Sequence, residues 1–130
     1  MRQEELGRGD PIRPLDWLRL LPHEAAASSD RLGWVGLEAA RYRAASAAER
    51  NQPILTHHLL ILYARPPEEF DLRYEGVKRH VPPSAGAIML VPAGCPARWH
   101  ASGRRDALHI CLEPGLLARV VIVVSQSLAK

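Results

Sequence analysis

Residues 86–100, Gly-Ala-Ile-Met-Leu-Val-Pro-Ala-Gly-Cys-Pro-Ala-Arg-Trp-His, leave few folds open. Ala87, Ile88, Met89, Leu90 and Val91 are five apolar residues in a row. Such a run is too short for an ordinary helix and suits a strand covered on both sides. Taken with Val91, Pro92 and Gly94 occupy the second and fourth positions of a predicted type I turn. Pro96 then keeps the chain out of a central ladder until Ala97. The stretch reads as a buried strand, a tight turn and a second strand, with the other strands arranged around that pair.

The rest of the chain carries the same signature. Eleven prolines and nine glycines are scattered between short apolar runs, which favours many short strands over a helical bundle. Strands are predicted over residues 54–64, 70–74, 77–81, 97–101 and 107–112. Phe70, Leu72 and Tyr74 alternate with polar residues, and Glu75-Gly76 forms a two-residue hairpin turn. In the last strand Leu108, Ile110 and Leu112 share one face, and His109 and Cys111 the other. Residues 36–50 have helical propensity, yet Trp34, Val35, Leu37 and Tyr42 suit a strand. We assign a strand to 33–43 and a loop to 44–52. A short helix is predicted at 14–21, started by Pro14 and stopped by Pro22, with Leu15, Leu18 and Leu21 on one face. It either packs on its own domain or belongs to an arm that closes a pocket or reaches a partner subunit. Residues 1–10 read as a mobile tail and 23–30 as a linker. The end, 116–130, starts helical, but the β-branched run 120–124 disfavours helix. The expected organisation is an arm with a short helix (1–31), a mainly β barrel or sandwich (32–113), and a helix or tail (114–130). A small barrel either fills with side chains or encloses one small ligand.

With 130 residues there is room for one domain. The net charge of +3 comes almost wholly from arginine, Lys78 and Lys130 being the sole lysines. No basic run points to nucleic acid. Two cysteines and a charged N-terminus without an apolar signal core predict a cytoplasmic, reduced setting. No apolar run approaches the length of a membrane span.

Gly86 followed after five residues by Pro92-Ala93-Gly94 matches the spacing of the second cupin motif. Many cupins have a metal-binding histidine three residues past that last glycine, where this chain has Ala97. Their first motif begins His-x-His, whereas this chain has the adjacent pair His57-His58, of which only one can face inward. No metal and no cofactor are therefore expected, although His100 and His109 are further histidines on neighbouring strands. No nucleophile constellation is present, so no enzyme activity is expected. The candidate ligand contacts are Tyr42, His58, Arg98, Trp99 and His100, a few polar groups in an apolar setting.

Several pieces in order carry a likeness to a family. They are Leu32-Gly33-Trp34-Val35-Gly36-Leu37, His58-Leu59-Leu60-Ile61-Leu62-Tyr63 and Tyr74-Glu75-Gly76. They continue with 86–94, Arg98-Trp99-His100 and Leu108-His109-Ile110-Cys111-Leu112-Glu113-Pro114. The chain resembles the N-terminal, cupin-like effector domain of AraC-type transcription regulators. The resemblance implies a metal-free, cupin-like small β-barrel (a double-stranded β-helix) with short flanking helices. It also implies a small-molecule effector such as a sugar or an aromatic acid, an N-terminal arm, and a homodimer. In that family a separate helix-turn-helix region grips DNA. Too few residues follow Leu116 for one, so direct nucleic-acid binding by this chain is not expected. Two alternatives stand beside this reading. One is a small metal-dependent cupin enzyme, an isomerase or oxygenase. The other is a ligand-free module that pairs with full-length regulators.

Overall fold

The computed structural model describes residues 10–18 and 25–128. Two antiparallel sheets face each other. The first runs in the order β1 (Ala27–Ser28), β2 (Leu37–Ala44), β9 (Arg105–Leu112), β4 (His58–Arg65), β7 (Ile88–Val91). The second runs β3 (Ala48–Gln52), β8 (Ala97–Ser102), β5 (Glu69–Tyr74), β6 (Val77–Arg79). Helix α1 (Pro14–Leu18) precedes the strands and α2 (Pro114–Leu128) follows them. The expected mainly β, cupin-like architecture with short flanking helices is the one observed. The predicted tail at 1–10 lies outside the described residues except for Asp10, and the predicted helix beyond Leu18 lies outside them too.

Period-two alternation explains which faces meet. Leu59, Ile61 and Tyr63 of β4, Phe70 and Leu72 of β5, and Ala97 and Trp99 of β8 all point inward and are buried. Ala40 and Tyr42 of β2 and Ala107 and Cys111 of β9, in the same sheet as β4, complete the core. Their outward neighbours divide by sheet. On the four-stranded sheet they are polar, with Asp71 within 3.2 Å of Arg73 and 2.7 Å of His80. On the five-stranded sheet they are largely apolar, with Leu60, Ile110, Leu62 and Leu108 facing one another across β4 and β9.

Five readings change. The apolar run 87–91 is not covered on both sides: β7 is an edge strand, and Ile88 and Leu90 are 63% and 45% exposed. A continuous apolar run fits an edge strand as well when its outer row joins an apolar outer face. Nor do β7 and β8 pair; the turn between them carries the chain from one sheet to the other. That turn sits one residue later than predicted. Cys95 N donates to Pro92 O at 3.3 Å and Gly94 has φ +83°, so glycine takes the third position of a type II turn. The strand expected from Gly33 begins at Leu37, because Gly33 and Gly36 adopt φ +69° and +78°, which no ladder accepts. Residues 54–57 do not join β4; Leu55 makes an isolated parallel bridge with Ile12.

Two segments read as irregular turn out to pair. Residues 48–52, taken as loop, form β3 against β8, and Ala27 and Ser28 of the expected linker pair with β2. The chain end is helical through residues 120–124 despite their β-branching, and α2 contains no buried residue.

Candidate functional site

The N-terminal arm folds back onto the barrel. Ile12 N donates to Ile54 O at 2.9 Å, and Thr56 N to Ile12 O at 3.0 Å. Arg13 Nη2 lies 2.7 Å from Glu38 Oε1, a carboxylate buried at the inner face of β2. These contacts bring α1 against the barrel and bury Trp17 in the core. Beneath it, between the sheets, is a cavity of about 90 Å³ whose lining includes Trp17.

The void exists because four inward positions, Ala44, Ala48, Ala101 and Ala107, carry only a methyl group. Around them stand the rings of Tyr42, Tyr63 and Trp99. These rings are held edge to face. The Tyr63 and Phe70 centroids are 6.3 Å apart, Phe70 and Trp99 6.0 Å, and Tyr42 and His109 5.1 Å. Trp99 Nε1 donates to Gln52 Oε1 at 2.9 Å, locking the indole. The charged lining is Arg50 of β3 and Arg105 of β9. Arg105 Nη1 donates to Ser46 O and Gly103 O, each at 3.0 Å, and Arg50 Nη1 to Glu49 O at 2.7 Å. Burial lowers the Arg105 pKa and the Arg50 charge adds to that effect, so the two guanidiniums share one region of space.

Of the five candidate contacts, Tyr42 and Trp99 line this cavity. His58, Arg98 and His100 do not, for one reason: each occupies the outward parity of its strand. His58 Nδ1 accepts from Ala93 N at 2.9 Å and so tethers the type II turn. Arg98 reaches Asn51 on the outer face of the second sheet. His100 stands on that same face, 3.6 Å from Glu49 and 3.8 Å from Glu69. Arg50, Arg105 and Tyr63 are cavity residues that the sequence reading did not single out. The usable signal was parity: Tyr63 follows buried Leu59 and Ile61 at steps of two. Arg105 precedes His109 and Cys111 in the same way.

Burial pushes the Cys111 thiol up from 9.0 to about 12, with the Glu38 carboxylate adding to the shift. Burial likewise pushes the Tyr63 phenol up from 10.0 to about 12, against the pull of Arg105. An unfolded chain releases both protons at lower pH than the fold does. Stability from these groups is therefore complete below about pH 9 and is lost as pH rises towards 12, from about 9 for Cys111 and from about 10 for Tyr63. Urea melts between pH 8 and 11 should show that decline, and Cys111→Ala should make it shallower.

No protein-family model matches the sequence, and no curated protein matches it. Solved structures do. A Cupin 2 conserved barrel domain protein from Salinispora arenicola aligns with TM-score 0.52 and 14% identity, over 88% of this chain and 98% of that one. The cupin domain of Schizosaccharomyces pombe Cnp3 aligns with TM-score 0.54 and 10% identity, over 72% and 66%. The EutQ protein of Clostridium difficile aligns with TM-score 0.43 and 12% identity, over 59% of this chain and 56% of that protein, little more than half its length. The first two likenesses show the cupin fold and carry no activity with them.

Many cupins hold a metal ion in the barrel, and the donors here do not fit one. Ala97 faces inward at the histidine position and offers only a methyl group. His57 is buried, with its Nδ1 2.6 Å from Thr56 Oγ1, while His58 turns outward. Among the described residues no three His, Cys, Asp or Glu side chains converge.

Proposed function

We propose that this chain is the small-molecule-sensing and dimerising domain of an AraC-type transcription regulator. One observation carries the reading: a cavity between the two sheets, walled by rings and methyl groups, holds a few polar groups and has Trp17 of the N-terminal arm in its wall. Mostly apolar walls with a handful of oriented polar groups are the general form of a small-molecule site. The arm supplies a readout. A ligand entering beneath Trp17 changes what α1 rests on, and α1 is tied to β2 through Arg13 and Glu38. The ordered resemblance to AraC-type effector domains and the donor set unsuited to a metal support the same reading.

A thermal-shift screen of the chain against sugars and small aromatic acids tests it. A ligand at 100 times its dissociation constant adds about 2.7 kcal/mol of stability, a shift of several degrees in a domain of this size. A broad library that yields no stabiliser would overturn the proposal.

A further inference from the structure

We infer that the barrel cavity takes a small carboxylate, with its charged end between Arg50 and Arg105 and its apolar body against Trp99 and Tyr42. The inference rests on the small-molecule reading of the cavity and names the chemical class of the ligand.

Three observations lead to it. Both guanidiniums line the cavity, and among the described residues no aspartate or glutamate does. Four arginines outside the cavity are paired with carboxylates, Arg13 with Glu38, Arg41 and Arg43 with Asp106, and Arg73 with Asp71, while Arg98 on the outer face bonds to Asn51 instead. Arg50 and Arg105 have no carboxylate partner among the described residues; their hydrogen bonds go to backbone carbonyls. The nearest carboxylate in sequence, Asp106, occupies the opposite parity of β9 and is engaged by Arg41 through two hydrogen bonds, one of 2.9 Å. Each guanidinium has five N–H donors, so carbonyl contacts alone leave several of them for an acceptor in the cavity. A carboxylate accepts a bidentate pair from such a fork and cancels the repulsion between two like charges.

Size narrows the class. A dry cavity of about 150 Å³ holds benzene, and this one is about 90 Å³. That space is too small for a whole ring, so a short-chain acid fits it, and an aromatic acid fits only with its ring partly in the cavity's open side.

Titration calorimetry with butyrate, benzoate, benzamide and inorganic phosphate tests the class. Butyrate or benzoate should bind at least tenfold more tightly than benzamide, the neutral isostere, and than phosphate. Arg50→Met and Arg105→Met should each weaken carboxylate binding by tenfold or more, with melting curves confirming that each variant is folded. Equal binding of benzoate and benzamide would overturn the anion assignment and leave the small-molecule cavity standing. Preference for phosphate would overturn the carboxylate class, and unchanged affinity in both arginine variants would overturn the location. Failure of all four probes, together with failure of the sugars in the broader screen, would instead remove the small-molecule reading itself.

Discussion

Trp99→Ala is expected to cost the barrel about 3–5 kcal/mol, the range for truncating a buried aromatic residue. Trp99 is 8% exposed and sits on β8, an inner strand of its sheet. Its indole meets Phe70 edge to face, and Phe70 meets Tyr63, so one truncation unsettles a row of three rings that spans both sheets. The indole is also the hydrogen-bond donor to Gln52 Oε1, and Gln52 is 2% exposed. That bond fixes which end of the amide is oxygen, since Nε1 can only donate. Gln52 Nε2 then faces away and has no partner among the described residues. Removing the donor would leave the other end of the same buried amide unsatisfied as well, at a further cost of about 1–3 kcal/mol. A domain this small has about 5–15 kcal/mol in all, so the variant should melt far below the wild type or fail to fold. Trp99→Phe separates the two contributions. It keeps a ring beside Phe70 and loses the donor, and its loss in urea unfolding should be the smaller. If Trp99→Ala melts within a degree or two of the wild type, the indole is not where the fold puts it.

The consequence for function is direct. Trp99 is both a wall of the cavity and a support of the fold, so loss of binding in Trp99→Ala would say little about recognition. Arg50 and Arg105 are the informative positions, because they are only partly buried and are not members of the row of rings that joins the two sheets.

How much of this was legible in the residues follows from what alternation can and cannot say. Phe70, Leu72 and Tyr74 against Asp71 and Arg73 announced a half-buried strand, and β5 is that strand. Tyr42 and Trp99 were recognisable as large, flat side chains in strands. Which face of each strand looks inward was not legible for Arg98-Trp99-His100, since a run of three polar or amphipathic residues carries no parity of its own. Parity there comes from Ala97 and Ala101, whose small size gives no hydrophobic emphasis although they flank the cavity. β3 was hidden for a related reason. Ala48-Glu49-Arg50-Asn51-Gln52 has no β-branched or aromatic residue, and only pairing with β8 makes it a strand. Arg50 sits in the segment read as a loop and Arg105 in the gap between the predicted strands 97–101 and 107–112, so the most chemically informative pair was the least visible.

α2 is expected to be a helix only where something covers it. Its fifteen residues include Val120, Val121, Ile122, Val123 and Val124, each between 49% and 61% exposed, and none of its residues is buried. A helix of this length is marginal in water even with good helix formers, and five successive β-branched residues lower its propensity further. A helix that is apolar on every side is stable when it is enclosed. The dimer of the proposed reading would do this by setting α2 of one copy against the other, burying the valine run twice over. Hydrogen exchange followed over a hundredfold range of protein concentration should therefore show residues 116–128 exchanging fast when dilute and becoming protected as the chain self-associates, while β4 and β9 stay protected throughout. Val121→Lys combined with Val124→Lys should abolish the concentration dependence and leave a monomer by sedimentation, with the barrel's own melting little changed. Protection of α2 that is strong and independent of concentration would mean that the helix stands without a second copy, and the pairing proposed here would be wrong.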